Sequence, residues 1–211
     1  MKKYIVTILI FISIITLTGC KTTKNIEETF VQSVNELTSY KLVGKLESNY
    51  PSGIKECIVT VYYKKPNLYR VELLNANSVE GQIMVKNNEG VHIIIPSINK
   101  TFKVNSNWPN NSSYPYLLQS LANDIVSDDN IITTKDGNYT TLELKAKLFN
   151  RDDGNTQKII FDENNSLKEI YIYNKNNELL SNFKITSIEQ NISIDDTLFN
   201  TYLTFLKFHL Y

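Results

Sequence analysis

Two hydrophobic periods organise this chain. Over 25–37 the apolar side chains Ile26, Phe30, Val34 and Leu37 recur three or four residues apart along one stripe, and Asn25 stands three residues before Glu28 as in a capping box. That spacing predicts an amphipathic helix. From Tyr40 onward the period falls to two and turn residues punctuate the runs, which predicts strands over 41–48, 56–64, 68–74, 82–85, 90–95 and 100–104. In the second of these, Cys57, Val59, Val61 and Tyr63 point one way and Ile58, Thr60 and Tyr62 the other, so both faces carry apolar groups and both need cover. Pro66-Asn67, Asn87-Asn88-Glu89-Gly90 and Pro96-Ser97 supply the breaks of an antiparallel meander.

The meander is interrupted once. Pro109 and Pro115 frame a polar stretch that runs into YLLQSLANDIV, where Leu117, Leu118, Leu121 and Ile125 return to helical spacing. Strands resume over 131–135, 139–149, 156–162, 166–173 and 179–189, with Asp136-Gly137-Asn138 as a tight-turn signal between the first two. At the end, Leu198, Phe199, Tyr202, Phe205, Leu206 and Phe208 again recur at helical spacing, a segment expected to pack on the sheet or cover an edge. About ten strands and two or three helices imply an α+β, mainly β, domain: a curved antiparallel sheet with helices laid against it.

The first twenty residues change the cellular picture rather than the fold. Lys2 and Lys3 precede an uncharged run over 4–17, shorter than the roughly 20 apolar residues a membrane span needs, and Leu17-Thr18-Gly19-Cys20 matches a bacterial lipobox. The reading is a signal peptide over 1–19, a lipidated Cys20 with a short tether over 20–24, and a single domain over 25–211. Cys20 would carry covalent diacylglycerol and an N-acyl chain such as palmitate. Two or more chains, at about 0.8 kcal/mol per buried methylene, make a lasting anchor on the extracytoplasmic face of the cell membrane.

Composition narrows the partners. The full chain balances 22 basic against 22 acidic side chains, and loss of Lys2 and Lys3 with the signal leaves the remainder slightly acidic, which argues against nucleic acid. Acylation of Cys20 leaves Cys57 as the one other cysteine, so no internal disulfide can form and the fold must rest on its core. His92 sits in a strand and His209 near the end, with no second histidine in ligand spacing. Asp128-Asp129 and Asp152-Asp153-Gly154-Asn155 lack the alternating oxygens of a calcium loop and read as hairpin turns. No metal, cofactor or enzyme signature emerges. Nucleophile elbow, phosphate loop, zinc spacing and dinucleotide fingerprint are all missing.

The order of elements, with Lys65-Pro66-Asn67 entering a strand, IIIPSINKTFKV, Trp108 before a short helix and the closing pattern of Asn191, Ile194, Asp195 and Phe199, resembles the LolA/LolB superfamily of lipoprotein carriers and receptors. Within it the layout and the Asn-, Lys- and Ile-rich composition are similar to the GerS-type germination lipoproteins of spore-forming bacteria. The resemblance implies an unclosed (half) β-barrel whose open side is covered by helices. Val59, Val61 and Lys65 are then the candidate lining of an acyl-chain cavity, Lys65 standing where the carriers place a lid-binding arginine.

Two functions follow from that resemblance. The first is a non-enzymatic protein-binding module of spore formation or germination that binds and activates a cortex amidase of the CwlD type, an N-acetylmuramoyl-L-alanine amidase. Tyr62, Tyr114 and Tyr116 are then candidates for its contact surface, since tyrosine brings area at low entropic cost. The second is a carrier or receptor that shelters acyl chains. A homodimer through the exposed edge of the unclosed sheet is a further expectation.

Overall fold

The computed structural model describes residues 25–75, 81–148 and 155–201. Its first element is the helix α1 (Ile26–Glu36), begun by Asn25, whose Oδ1 accepts from the Glu28 backbone N–H at 2.8 Å. This is half of the anticipated capping box, and the stripe of Ile26, Phe30, Val34 and Leu37 faces the protein interior.

Eleven antiparallel strands follow: β1 (Ser39–Tyr50), β2 (Gly53–Lys64), β3 (Leu68–Asn75), β4 (Gln82–Asn87), β5 (Gly90–Ile95), β6 (Lys100–Val104), β7 (Ile132–Asp136), β8 (Tyr139–Lys145), β9 (Thr156–Phe161), β10 (Leu167–Tyr173) and β11 (Leu179–Gln190). A second helix, α2 (Leu118–Ser127), lies between β6 and β7. The strands form one sheet in the order β6-β5-β4-β3-β2-β1-β11-β10-β9-β8-β7, so among the described residues β6 and β7 are its unpaired edges. The sheet is therefore unclosed, as the resemblance implies. Every anticipated strand is present; β1 and β2 run longer than expected because ladder pairing carries backbone past the last apolar side chain, whereas β8 ends at Lys145, short of the expected 149.

Two features explain how a long sheet keeps its register. Gly137 takes a left-handed φ of 54° in the two-residue turn that brings Asp136 opposite Tyr139. At Gly44 the β1–β11 register slips between Val43 and Gly44, and a Cβ there would lie 2.4 Å from the Phe183 ring. Only glycine fits beneath that ring.

The inner, helix-bearing face holds the main core. Tyr40 and Leu42 on β1, Val59 and Val61 on β2, Val71 on β3, Phe183 on β11, Ile170 on β10 and Ile159 on β9 pack with Phe30, Val34, Leu117, Leu118 and Leu121. The α1 helix packs on α2, and its Phe30 ring meets Phe161 of β9 edge-on at 5.3 Å. On the opposite face of β3 to β5 lies a second core of Ile83, Val85 and Ile94, capped by Ile194 and Phe199. The apolar pattern on both faces of β2 to β5 thus reflects two buried layers, of which the outer one is covered by the chain's own segment 192–199.

The segment 198–208 is described only as far as residue 201, where Asp196–Phe199 forms a single 3-10 turn with Asp195 accepting from the Thr197 N–H at 2.9 Å. The lipobox, Cys20 and the remainder of that C-terminal segment lie outside the described residues, as do 152–154. Asp128 corrects one expectation. Rather than opening a hairpin, it closes α2, and its carboxylate accepts from the backbone N–H of Lys145 at 2.7 Å and of Asn130 at 3.0 Å. Those bonds hold its acid below the usual carboxylate range.

Candidate functional site

The inner face is where the sequence places its candidate lining, and the structure fills it. Val59 and Val61 point inward, but both are wholly buried in the continuous core rather than opening onto a cavity. The reason is volume: the two helices and a belt of aromatic rings occupy the space above β1, β2 and β3. That belt runs from Tyr40 through Tyr63, Tyr69, Trp108, Tyr114 and Tyr116 to Phe183, with successive ring centroids 5.0 to 6.4 Å apart. Such edge-on and tilted contacts add to the area each ring buries.

Two of the three tyrosines expected at a contact surface belong to this belt. Tyr116 is 7% exposed, and its hydroxyl is pushed strongly upward by burial, so it is a core residue. Tyr114 is half-buried and donates to Asn111 Oδ1 at 3.0 Å. Tyr62 lies on the outer face, where it packs against the second core and lies under the Lys41 ammonium at 5.9 Å. The structure therefore does not bring these three together into one surface.

Lys65 is not a lining residue either. It is exposed on the turn after β2, and its Nζ donates to the Asn35 carbonyl in the last turn of α1 at 2.9 Å while its backbone N–H donates to Thr38 O at 2.8 Å. A cation at that end complements the helix dipole. Lys65 thereby fastens the helix that covers the inner face.

Beside α1 the cover is incomplete. A cavity of about 520 Å³ opens between α1 and the β9–β10 turn and β11, with Phe30, Val34, Leu37, Leu167, Ile185 and Ile188 on its floor and Ser33, Asn164, Asn165, Ser187 and Gln190 at its mouth. An apolar floor with a polar rim of this size suits an apolar chain or side chain. Sequence spacing did not separate this groove from the filled centre, because Ile185 and Ile188 fall on either side of the bulge that breaks the period of β11.

A polar contact anchors the other helix. Asp124 of α2 is buried and accepts from Gln157 Nε2 at 2.8 Å. Burial raises its carboxyl above the usual range, against the bonds from Gln157 and Ser113. Burial likewise raises the Cys57 thiol, which disfavours a reactive thiolate. Among the described residues no three His, Cys, Asp or Glu side chains converge as a metal site, and no helix is long and apolar enough to cross a membrane.

The closing pattern of the chain also has a location. Asn191 takes a left-handed φ of 53°, and its Oδ1 accepts from Thr38 N at 2.9 Å and Thr38 Oγ1 at 3.0 Å, so it turns the chain out of β11 against the start of β1. Ile194 and Phe199 then bury themselves on the outer face, and Lys64 Nζ donates to Ile194 O at 2.9 Å and pairs with Asp196. The family model for YdcC-like sporulation proteins matches residues 1–199, ending on Phe199. The chain belongs to the YdcC-like sporulation protein family. It is 31% identical over 203 residues to the sporulation protein YdcC of Bacillus subtilis, an alignment that covers 94% of this chain and 60% of that protein. The chain thus spans about three-fifths of the length of this relative.

Among solved structures, an uncharacterized conserved protein from Thermus thermophilus shares the fold at a TM-score of 0.50, with 12% identity over 82% of this chain and 90% of the other. A chain in the complex of the CwlD amidase with the GerS lipoprotein from Clostridioides difficile aligns more loosely, at a TM-score of 0.42 and 10% identity over 83% of this chain and 96% of that one. Neither likeness reaches the level at which a shared fold would carry function.

Proposed function

We propose that this protein is a non-enzymatic, membrane-anchored binding module of spore formation, whose partner is a cortex-modifying N-acetylmuramoyl-L-alanine amidase. Membership of the YdcC-like family supports the sporulation role. The observation that carries a protein-binding rather than a cargo-carrying role is the filled centre of the inner face, where Val59 and Val61 are fully buried under α1, α2 and the aromatic belt. A carrier needs empty volume there, and this domain has given it to side chains. What remains for recognition is surface. Acylation at Cys20, followed by a tether of only four residues, would hold that surface next to the extracytoplasmic face of the membrane.

The test is reconstitution. The acylated protein on vesicles is mixed with the amidase and peptidoglycan, and complex formation and hydrolysis are followed together. A stoichiometric complex with faster hydrolysis than the amidase alone is expected; no complex at micromolar concentrations refutes the reading. Replacement of Cys20 by alanine should abolish acyl labelling and release the protein from membranes.

The groove beside α1 favours one second reading, in which a single acyl chain lies against Phe30, Val34 and Ile188. That reading requires a non-covalent lipid to accompany the protein through purification in mild detergent.

A further inference from the structure

The sheet's two unpaired edges are not alike. All four residues Lys100, Thr101, Phe102 and Lys103 of β6 are exposed, and Phe102 is 46% exposed although it stands on the inner face in register with Ile93, Met84 and Val71. Ile98, in the turn just before the strand, is exposed as well. Alternation puts Lys100 with Phe102 on the inner face and Lys103 with Thr101 on the outer. The strand opposite offers no counter-charge, since Lys100 faces Ile95 and Lys103 faces His92, and neither lysine has an ion-pair partner among the described residues. The edge at β7 is equally exposed, Ile132 included, and differs in its charges and contacts. It carries Lys135 beside Asp136, and Thr133 Oγ1 donates to Glu27 of α1 at 2.6 Å.

We infer that β6 is the docking edge, and that it takes an extended acidic segment of a partner protein as an added strand. The inference rests on the protein-binding function proposed above and names the surface that performs it. A free edge offers a row of backbone donors and acceptors, so affinity comes from the main chain and selectivity from the side chains opposite Lys100, Phe102 and Lys103. Complementarity sets the pattern of that segment: carboxylates three positions apart, facing the two lysines, with an apolar residue between them to cover Phe102. A second copy of this chain is a poor occupant. Pairing β6 with another β6 would crowd four lysines along one seam, and like charges opposite one another destabilise a strand pair.

The probe is a capped synthetic peptide with the core Glu-Val-Thr-Glu, which meets Lys103, Phe102, Thr101 and Lys100 in antiparallel register. It is titrated into the folded protein by NMR beside a control in which both glutamates are lysines. Shifts confined to residues 98–104, at least tenfold weaker binding in the double variant Lys100→Glu, Lys103→Glu, and recovery of that variant's binding with the lysine peptide are the expected results. Lys135→Glu on β7 should leave the affinity unchanged. Absence of shifts up to millimolar peptide, shifts centred on the groove beside α1, or equal affinity after charge reversal would each overturn the assignment. The same double variant, mixed with the amidase, separates the two levels. A complex that persists undiminished refutes the β6 edge while leaving the binding function intact, whereas loss of the complex in the unaltered protein refutes the function itself.

Discussion

The ammonium of Lys65 reaches across from the turn after β2 to the Asn35 carbonyl, 2.9 Å away in the final turn of α1. This bond ties the end of the covering helix to the sheet it covers. Lys65→Met should therefore loosen α1 selectively, at a cost of about 1 kcal/mol for a charge-assisted bond at an exposed position. Hydrogen exchange reads this directly: amides of 29–36 should exchange faster while those of β1 and β2 do not. Lys65→Arg should restore protection, since a guanidinium also donates to a carbonyl.

Gly44 sits where β11 carries an extra residue and where the Phe183 ring lies against the backbone. Gly44→Ala should destabilise the domain by about 1–3 kcal/mol through overpacking, measured as a lower denaturant midpoint with an unchanged slope. Pairing it with Phe183→Leu should recover part of the loss.

The segment 192–199 closes the outer face through Ile194 and Phe199 and is held by Lys64 and by Asn87, whose Nδ2 donates to Phe199 O at 3.1 Å. Phe199→Ala should cost about 3–5 kcal/mol and expose Ile83, Val85 and Ile94. Binding of a hydrophobic dye under native conditions should rise in that variant, whereas a role confined to the inner face would leave dye binding unaltered.

Asp124 gives a pH dependence whose sign is fixed by its environment. Its folded pKa is raised, chiefly by burial, so the native state holds that proton to higher pH than the unfolded chain does. The contribution favours folding below the ordinary carboxylate value and is withdrawn as pH rises from there through the raised one. Asp124→Asn should flatten that decline and leave stability at pH 7 equal or up to about 1 kcal/mol higher, because the amide keeps a hydrogen bond to Gln157 without a buried charge. A loss of several kcal/mol at pH 7 would mean that the carboxylate itself holds α2 in place.

Most of the fold was legible because the two periods are sharp. Ile26, Phe30, Val34 and Leu37 mark a helix at a glance, and the alternation of Cys57 to Tyr63 marks a strand. The candidate site was less legible for a physical reason. Periodicity tells which residues share a face but not how much volume stands above it, so Val59 and Val61 read equally well as a cavity wall or as filled core. Tyr116 read as a possible surface residue because nothing in its local sequence reports the belt between Trp108 and Phe183. That both faces of β2 need cover, and that the segment from Leu198 packs on the sheet, was legible; which strands that segment covers was not, because Ile194 and Phe199 meet Ile83, Val85 and Ile94 more than 90 residues earlier in the chain. Asn191 and Asp195 stood out only as members of a familiar closing pattern; their roles as a left-handed turn and a cap are visible in the structure alone.

Native mass spectrometry of the protein captured from its own cells in mild detergent tests the binding function directly. The expected result is a covalently acylated chain in stoichiometric complex with a peptidoglycan amidase, and no further lipid. A chain that carries a non-covalent lipid and no protein partner would contradict it, and would move the function to the groove between α1 and β11.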